Sequence, residues 1–308
     1  MKNDFKLLMI SAMYENGGNT VHRFLDGHRE MYVYPFESQL GTRLVNDALT
    51  SMFPVKYRWP EFPLDGTGEN DYQLIIDEET NVRARTPQVS KFRNADFQFS
   101  DEDRKDVYRK VIHRLGRSRA HNVQAFFVST FKAWKNYCGT GREKFYVGYS
   151  PVVLVDGEKI LRDLPSAHLL HVVRNPWSAY ADTKKRPVPL SLRNYFLGWN
   201  LNQYFALLLK KKYPRSVHIV RFEDVLSNSK KTLGGVCKSL GLKSDESLGV
   251  VSWNAQPLEQ VYPWGTIRKA TVEANLQTAR ELSTEERSEI RQLTWQYLKV
   301  FGYEKFLK

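Results

Sequence analysis

Five short apolar segments, at 7–13, 31–35, 145–149, 169–173 and 217–222, constrain this chain more than any other feature. Each is too short for a buried helix, and most run into a polar or turn-forming residue and then a helical pattern. Strands alternating with helices pack as an α/β domain around a mostly parallel sheet. Ligands of such sheets lie beyond the carboxyl ends of the strands. That rule gathers the turn at 14–20 with Glu37, Ser150, Arg174 and Glu223, because all of them follow expected strand ends.

The first segment leads into a polar, glycine-bearing turn and a helical pattern (Val21, Phe24, Leu25), then a second short strand ending at Glu37. A strand feeding a glycine loop and a helix aims free backbone N–H groups and the positive end of a helix dipole at one point, which suits a phosphate. The turn is not a Walker A sequence, and it contains neither lysine nor arginine.

Composition narrows the partners. The 308 residues carry 46 Lys and Arg against 34 Asp and Glu, a net charge of +12, which favours anionic ligands without choosing among them. Lys184-Lys185-Arg186 and Lys210-Lys211-Lys212 read as helix ends, where cations meet the carbonyl end of the dipole. No nucleic-acid-binding signature accompanies them, so no nucleic-acid partner is expected. The two cysteines, Cys138 and Cys237, fall on segments read as helical and form no metal-ligand spacing. A reducing, cytoplasmic setting without metal or disulfide is expected. The N-terminal apolar run is too short to span a membrane.

A second motif, from His168 to Ser178, reads HLLHVVRNPWS. A strand ends at Arg174, Asn175 can cap the next helix and Pro176 suits its first position. Ser178 then lies in the first turn. A guanidinium, a hydroxyl and a helix N-terminus suit a doubly charged phosphate, although a structural ion pair beside an ordinary helix start would read the same way.

This motif resembles the strand–helix that holds the 3′-phosphate in sulfotransferases using 3′-phosphoadenosine 5′-phosphosulfate (PAPS). Val220-Arg-Phe-Glu-Asp-Val225 is similar to that family's R-[YF]-E-D-L segment, and Arg23-Phe-Leu-Asp-Gly-His28 to its L-L-D-x-H-P element. Gly148-Tyr-Ser-Pro151 sits where many members have G-x-K-x-P. Carbohydrate-type and bacterial members resemble the chain most. The resemblance implies a three-layer, P-loop NTPase-like fold in one domain, 1–308, with a helical insert at about 42–142.

It further implies that Tyr14, Asn16, Gly17, Gly18, Asn19 and Thr20 cradle the 5′-phosphosulfate, while Arg174 and Ser178 hold the 3′-phosphate. Trp264 and Arg268 resemble a segment that closes over the nucleotide. Glu37 sits like the catalytic glutamate of protein-tyrosine sulfotransferases and is the first candidate for a general base, with His28 second. Alignment on Asp26-Gly27-His28 puts Glu15 where the family's loop has arginine. The implied products are a sulfated hydroxyl acceptor, a saccharide or small metabolite, and adenosine 3′,5′-bisphosphate (PAP). A P-loop-like small-molecule kinase and a non-catalytic nucleotide- or anion-binding protein remain alternatives.

The region 42–142 holds a Pro/Trp/Tyr-rich stretch, a polar run and one long helix expected from about Asp101 to Tyr137. It reads either as a lid or acceptor-binding subdomain or as helical padding of the sheet. Near the C-terminus Ser283-Thr284-Glu285-Glu286 is a capping box, and an apolar stripe from Ile290 to Phe301 ends at Gly302.

Overall fold

A computed structural model describes residues 5–90, 92–258 and 271–307. Trp264 and Arg268 lie outside the described residues. All five apolar segments are strands: β1 Leu7–Ala12, β2 Met31–Val33, β3 Phe145–Tyr149, β4 His168–Val173 and β5 Val217–Arg221. They form one parallel sheet in the order β2-β3-β1-β4-β5. β1 is therefore central, and the chain leaves it toward β2 on one side and reaches β4 on the other.

The helices follow in chain order. α1 is Gly18–Leu25, α2 Gly68–Ile75, α3 Glu78–Arg85, α4 Asp101–Leu115, α5 Arg119–Ala133 and α6 Gly157–Asp163. After β4 come α7 Pro176–Lys184 and α8 Leu192–Lys212; after β5 come α9 Phe222–Ser227, α10 Ser229–Ser239, α11 Val272–Arg280 and α12 Thr284–Val300.

Every residue of β1 is buried, and the strand's pleat divides its side chains between two cores. Leu7 and Met9 pack with Phe126 and Phe127 of α5. Leu8 and Ile10 pack with Val21 and Leu25 of α1 and Leu233 and Val236 of α10. A third core joins Trp177 of α7, Tyr195 and Trp199 of α8, and Ile290 and Tyr297 of α12. The result is the expected three-layer α/β architecture, with α2–α5 inserted between β2 and β3.

Local signals explain the helix ends. Asn175 accepts a hydrogen bond from the Ser178 N–H at 2.9 Å, and Pro176 opens α7. The Ser283–Glu286 capping box starts α12, and Gly302 leaves it at φ 68°.

Three expectations need correction. The helix expected over 101–137 is two helices, because Gly116 takes φ 79° after α4 and Ser118 caps α5. Cys138 lies past α5 in an exposed loop, whereas Cys237 is buried in α10. β2 stops at Val33, since Pro35 has no N–H to extend pairing on this edge strand. The chain still tracks β3 through Tyr34 N–H to Val147 O and Ser38 N–H to Tyr149 O, at 2.9 and 2.8 Å. Glu37 stays at the sheet's carboxyl edge for that reason.

Two strand histidines make stability acid-sensitive. His171 faces Gln203 at 2.9 Å, and burial pushes its pKa down to about 4. His218 stacks on His168 with centroids 5.4 Å apart and is also pushed down to about 4, chiefly by burial. The unfolded chain protonates near 6.5 and the folded chain only near 4, so protons favour unfolding in that window. Melting temperature is therefore expected to fall as pH drops from 6.5 toward 4. A flat profile that His171→Gln leaves unaltered would remove this role.

Candidate active site

The turn after β1 is shaped by two glycines and one asparagine. Gly17 precedes α1 at φ 83°, and a Cβ there would lie 2.2 Å from the Phe222 ring. At Gly18 a Cβ would lie 2.5 Å from Tyr149. Only glycine lets the backbone pass between these rings.

Asn16 fixes the turn from below. Its Nδ2 donates to Tyr14 O at 2.8 Å and to Tyr195 Oη at 2.9 Å. Its Oδ1 accepts from the Arg174 N–H at 3.1 Å and from Trp199 Nε1 at 3.2 Å. The side chain thus ties the loop to β4 and α8.

Among the described residues no side chain caps α1, and its first turn carries no acid. Its leading N–H groups, at Gly18, Asn19 and Thr20, lack intrahelical acceptors by position and sit where the dipole is positive. Asn19 is half-buried and Thr20 buried. This set suits a phosphosulfate, with the backbone as its principal donor.

Charge reaches the loop from another segment. Arg186, in the turn past α7, places its guanidinium 4.9 Å from the Tyr14 ring centroid. Its Nε lies 4.0 Å from a carboxylate oxygen of Glu15, which is exposed at φ 57°. In the sequence Arg186 reads only as part of a helix-end cluster. Its position depends on how the chain turns after α7, and no local signal in the sequence carries that.

Glu37 belongs to the same neighbourhood. The Tyr14 hydroxyl is pushed up to about 12, by burial first, with Arg186 opposing and the Glu37 charge adding. Burial and then the Glu37 charge also raise Tyr57 and Tyr149. Tyr57 reaches Tyr14 from the insert, with ring centroids 6.0 Å apart. Among the described residues the buried Tyr14 Oη has no hydrogen-bond partner, a costly state for a hydroxyl. Glu37 Oε2 accepts from Gln39 Nε2 at 3.3 Å.

Arg174 and Ser178 come together beneath α11. Arg174 Nε donates to Asn275 Oδ1 at 2.6 Å, and its Nη1 reaches Glu15 O at 2.7 Å and Asp182 Oδ2 at 2.8 Å. The Ser178 hydroxyl donates to Asn275 O at 2.6 Å. Glu223 braces this corner, accepting from the Asn175 N–H and from Asn275 Nδ2 at 3.0 and 2.9 Å. It also accepts from Tyr303 Oη at 2.6 Å.

His28 is not brought to this cluster. It lies beyond the far end of α1, about 12 Å of helix from the glycine loop. Its Nδ1 accepts from the Glu30 N–H at 3.1 Å, so the ring proton sits on Nε2, 3.0 Å from Lys243 O. Ser150 is buried, with its hydroxyl 3.3 Å from Tyr57 O. Among the described residues no group of three or more His, Cys, Asp or Glu side chains could hold a metal ion. Among them, too, no helix is long and apolar enough to cross a membrane.

A family model described as "Sulfotransferase family" matches residues 41–246, well over half of the chain. The chain belongs to the sulfotransferase family. The match begins past the glycine loop and Glu37 and takes in Arg174, Ser178, Asp182 and Arg186. This sulfotransferase shares its fold with the sulfotransferase domain from the curacin biosynthetic pathway, at 13% identity and a TM-score of 0.54. That alignment covers 95% of this chain and 97% of the other. A sulfotransferase from Alicyclobacillus acidocaldarius aligns over 96% and 95% of the two chains, at 14% identity and a TM-score of 0.46. No curated protein matches this sulfotransferase in sequence.

Proposed function

We propose that this sulfotransferase moves a sulfuryl group from PAPS to a hydroxyl on a saccharide or small metabolite, releasing PAP. The observation that carries the reading is the meeting of an uncapped glycine loop, Glu37 and Arg186 at the carboxyl edge of the central strand. The donor supplies an activated sulfur; the chain supplies position, charge and a proton acceptor. The α1 N-terminus and Arg186 hold the phosphosulfate oxygens. Glu37 takes the acceptor's proton as the new O–S bond forms and the S–O bond to phosphate breaks, the electron pair leaving with the nucleotide phosphate. Tyr14 and Tyr57 wall the acceptor side and exclude water.

The insert at about 42–142, part of a single domain, contributes the acceptor-binding surface through Tyr57. With both cysteines free, the reading places the protein in the cytoplasm.

Calorimetry tests the donor class. PAP is expected to bind and ATP to bind far more weakly; absence of PAP binding would sink the reading. Arg186→Ala is expected to weaken PAP by about tenfold to a hundredfold, the worth of a lost charge-assisted hydrogen bond. Its melting temperature should stay near that of the parent, since the Arg186 side chain is 37% exposed.

A further inference from the structure

One anion is already seated on Arg174, the residue to which the family resemblance gives the donor's 3′-phosphate. Asp182, in the last turn of α7, places Oδ2 2.8 Å from Arg174 Nη1. The Arg174 side chain is only 8% exposed and Asp182 30%, so the pair meets in a poorly screened corner. The other Asp182 oxygen lies 3.4 Å from Lys185 Nζ. Lys185 also pairs with Glu281 at 2.6 Å. Asp182 therefore has a second cation at hand if Arg174 is taken from it.

We propose that Asp182 is an internal competitor for Arg174 and lowers the donor site's preference for a 3′-phosphate. This rests on the donor-site reading given above. A nucleotide bearing a 3′-phosphate has to draw Arg174 away from Asp182 and then sit beside a carboxylate of like charge. A nucleotide with a free 3′-hydroxyl leaves the Arg174–Asp182 pair intact. The carboxylate thus penalises one class of nucleotide and is indifferent to the other. The remaining Arg174 contacts, to Asn275 Oδ1 and Glu15 O, involve neutral acceptors and carry no such penalty.

The test compares PAP with adenosine 5′-monophosphate by calorimetry on the full chain, its Asp182→Asn variant and its Asp182→Ser variant. Both variants are expected to tighten PAP at least about tenfold while the monophosphate changes by less than about threefold. A PAP affinity that falls, or one that moves in step with the monophosphate, would overturn the proposal and leave Asp182 a structural partner of Arg174. Two replacements of different size guard against a folding defect in either one, which melting curves would reveal. Binding of neither nucleotide by any of the three proteins would overturn the donor-site reading itself, and this proposal with it.

Discussion

Glu37→Gln is expected to slow sulfuryl transfer by about 10²- to 10⁴-fold, the usual worth of a positioned general base. PAP affinity should hold within about threefold, because glutamine keeps the shape and the acceptor oxygen that meets Gln39 Nε2. The split between rate and affinity is the informative part. A residue that merely shaped the pocket would alter both together, whereas a base acts where the acceptor proton moves. Steady-state rates with labelled donor, on an acceptor found by screening, check the first quantity and calorimetry the second. Undiminished turnover in this variant would take Glu37 out of the mechanism.

Asp156→Ala is expected to lower unfolding free energy by about 3 kcal/mol, the low end for breaking a buried ion pair. Asp156 and Arg58 are 2% and 1% exposed and meet through two bonds, at 2.7 and 2.8 Å. The same carboxylate accepts from the Trp59 N–H at 2.9 Å. Arg58 keeps a second partner in Asp47 at 2.8 Å, which is why the low end applies. Since Arg58 directly follows Tyr57, loosening it also frees the insert's aromatic wall beside Tyr14. Urea unfolding and a rate assay should therefore both respond. A stability change under about 1 kcal/mol would mean that the pair contributes little net energy.

Local chemistry made most of the fold readable. The strands at 145–149, 169–173 and 217–222 are short, apolar and bounded by turn formers, and each lies within a residue of its expected limits. Asn175, Pro176 and Ser283 announce helix starts through side chains that act within three residues. Pattern and fold part company where a distant contact or a single glycine decides. Gly116-Arg117-Ser118 breaks a pattern that periodicity alone carries through, and β2 is shortened by its edge position.

The candidate site divides along the same line. The rule that ligands lie at strand carboxyl ends located the loop, Glu37, Ser150, Arg174 and Glu223, since order along the chain is enough for that. Arg186 and Asp182 escaped it because they lie at and past the far end of α7, and only packing returns them to the loop and to Arg174. Asn16 was legible as a loop residue, but its four hydrogen bonds turn its side chain toward α8 and β4.

That asparagine has a chemical side as well. Asn16 is followed by Gly17, a sequence in which the next backbone nitrogen readily attacks the side-chain amide and expels ammonia. In the fold four hydrogen bonds hold the amide, and the rotation that such an attack requires would have to break them. Each unfolding event lifts that restraint. Conversion to aspartate would then delete the two N–H donors that carry Tyr14 and Tyr195, so the lifetime of the loop is tied to the lifetime of the folded state.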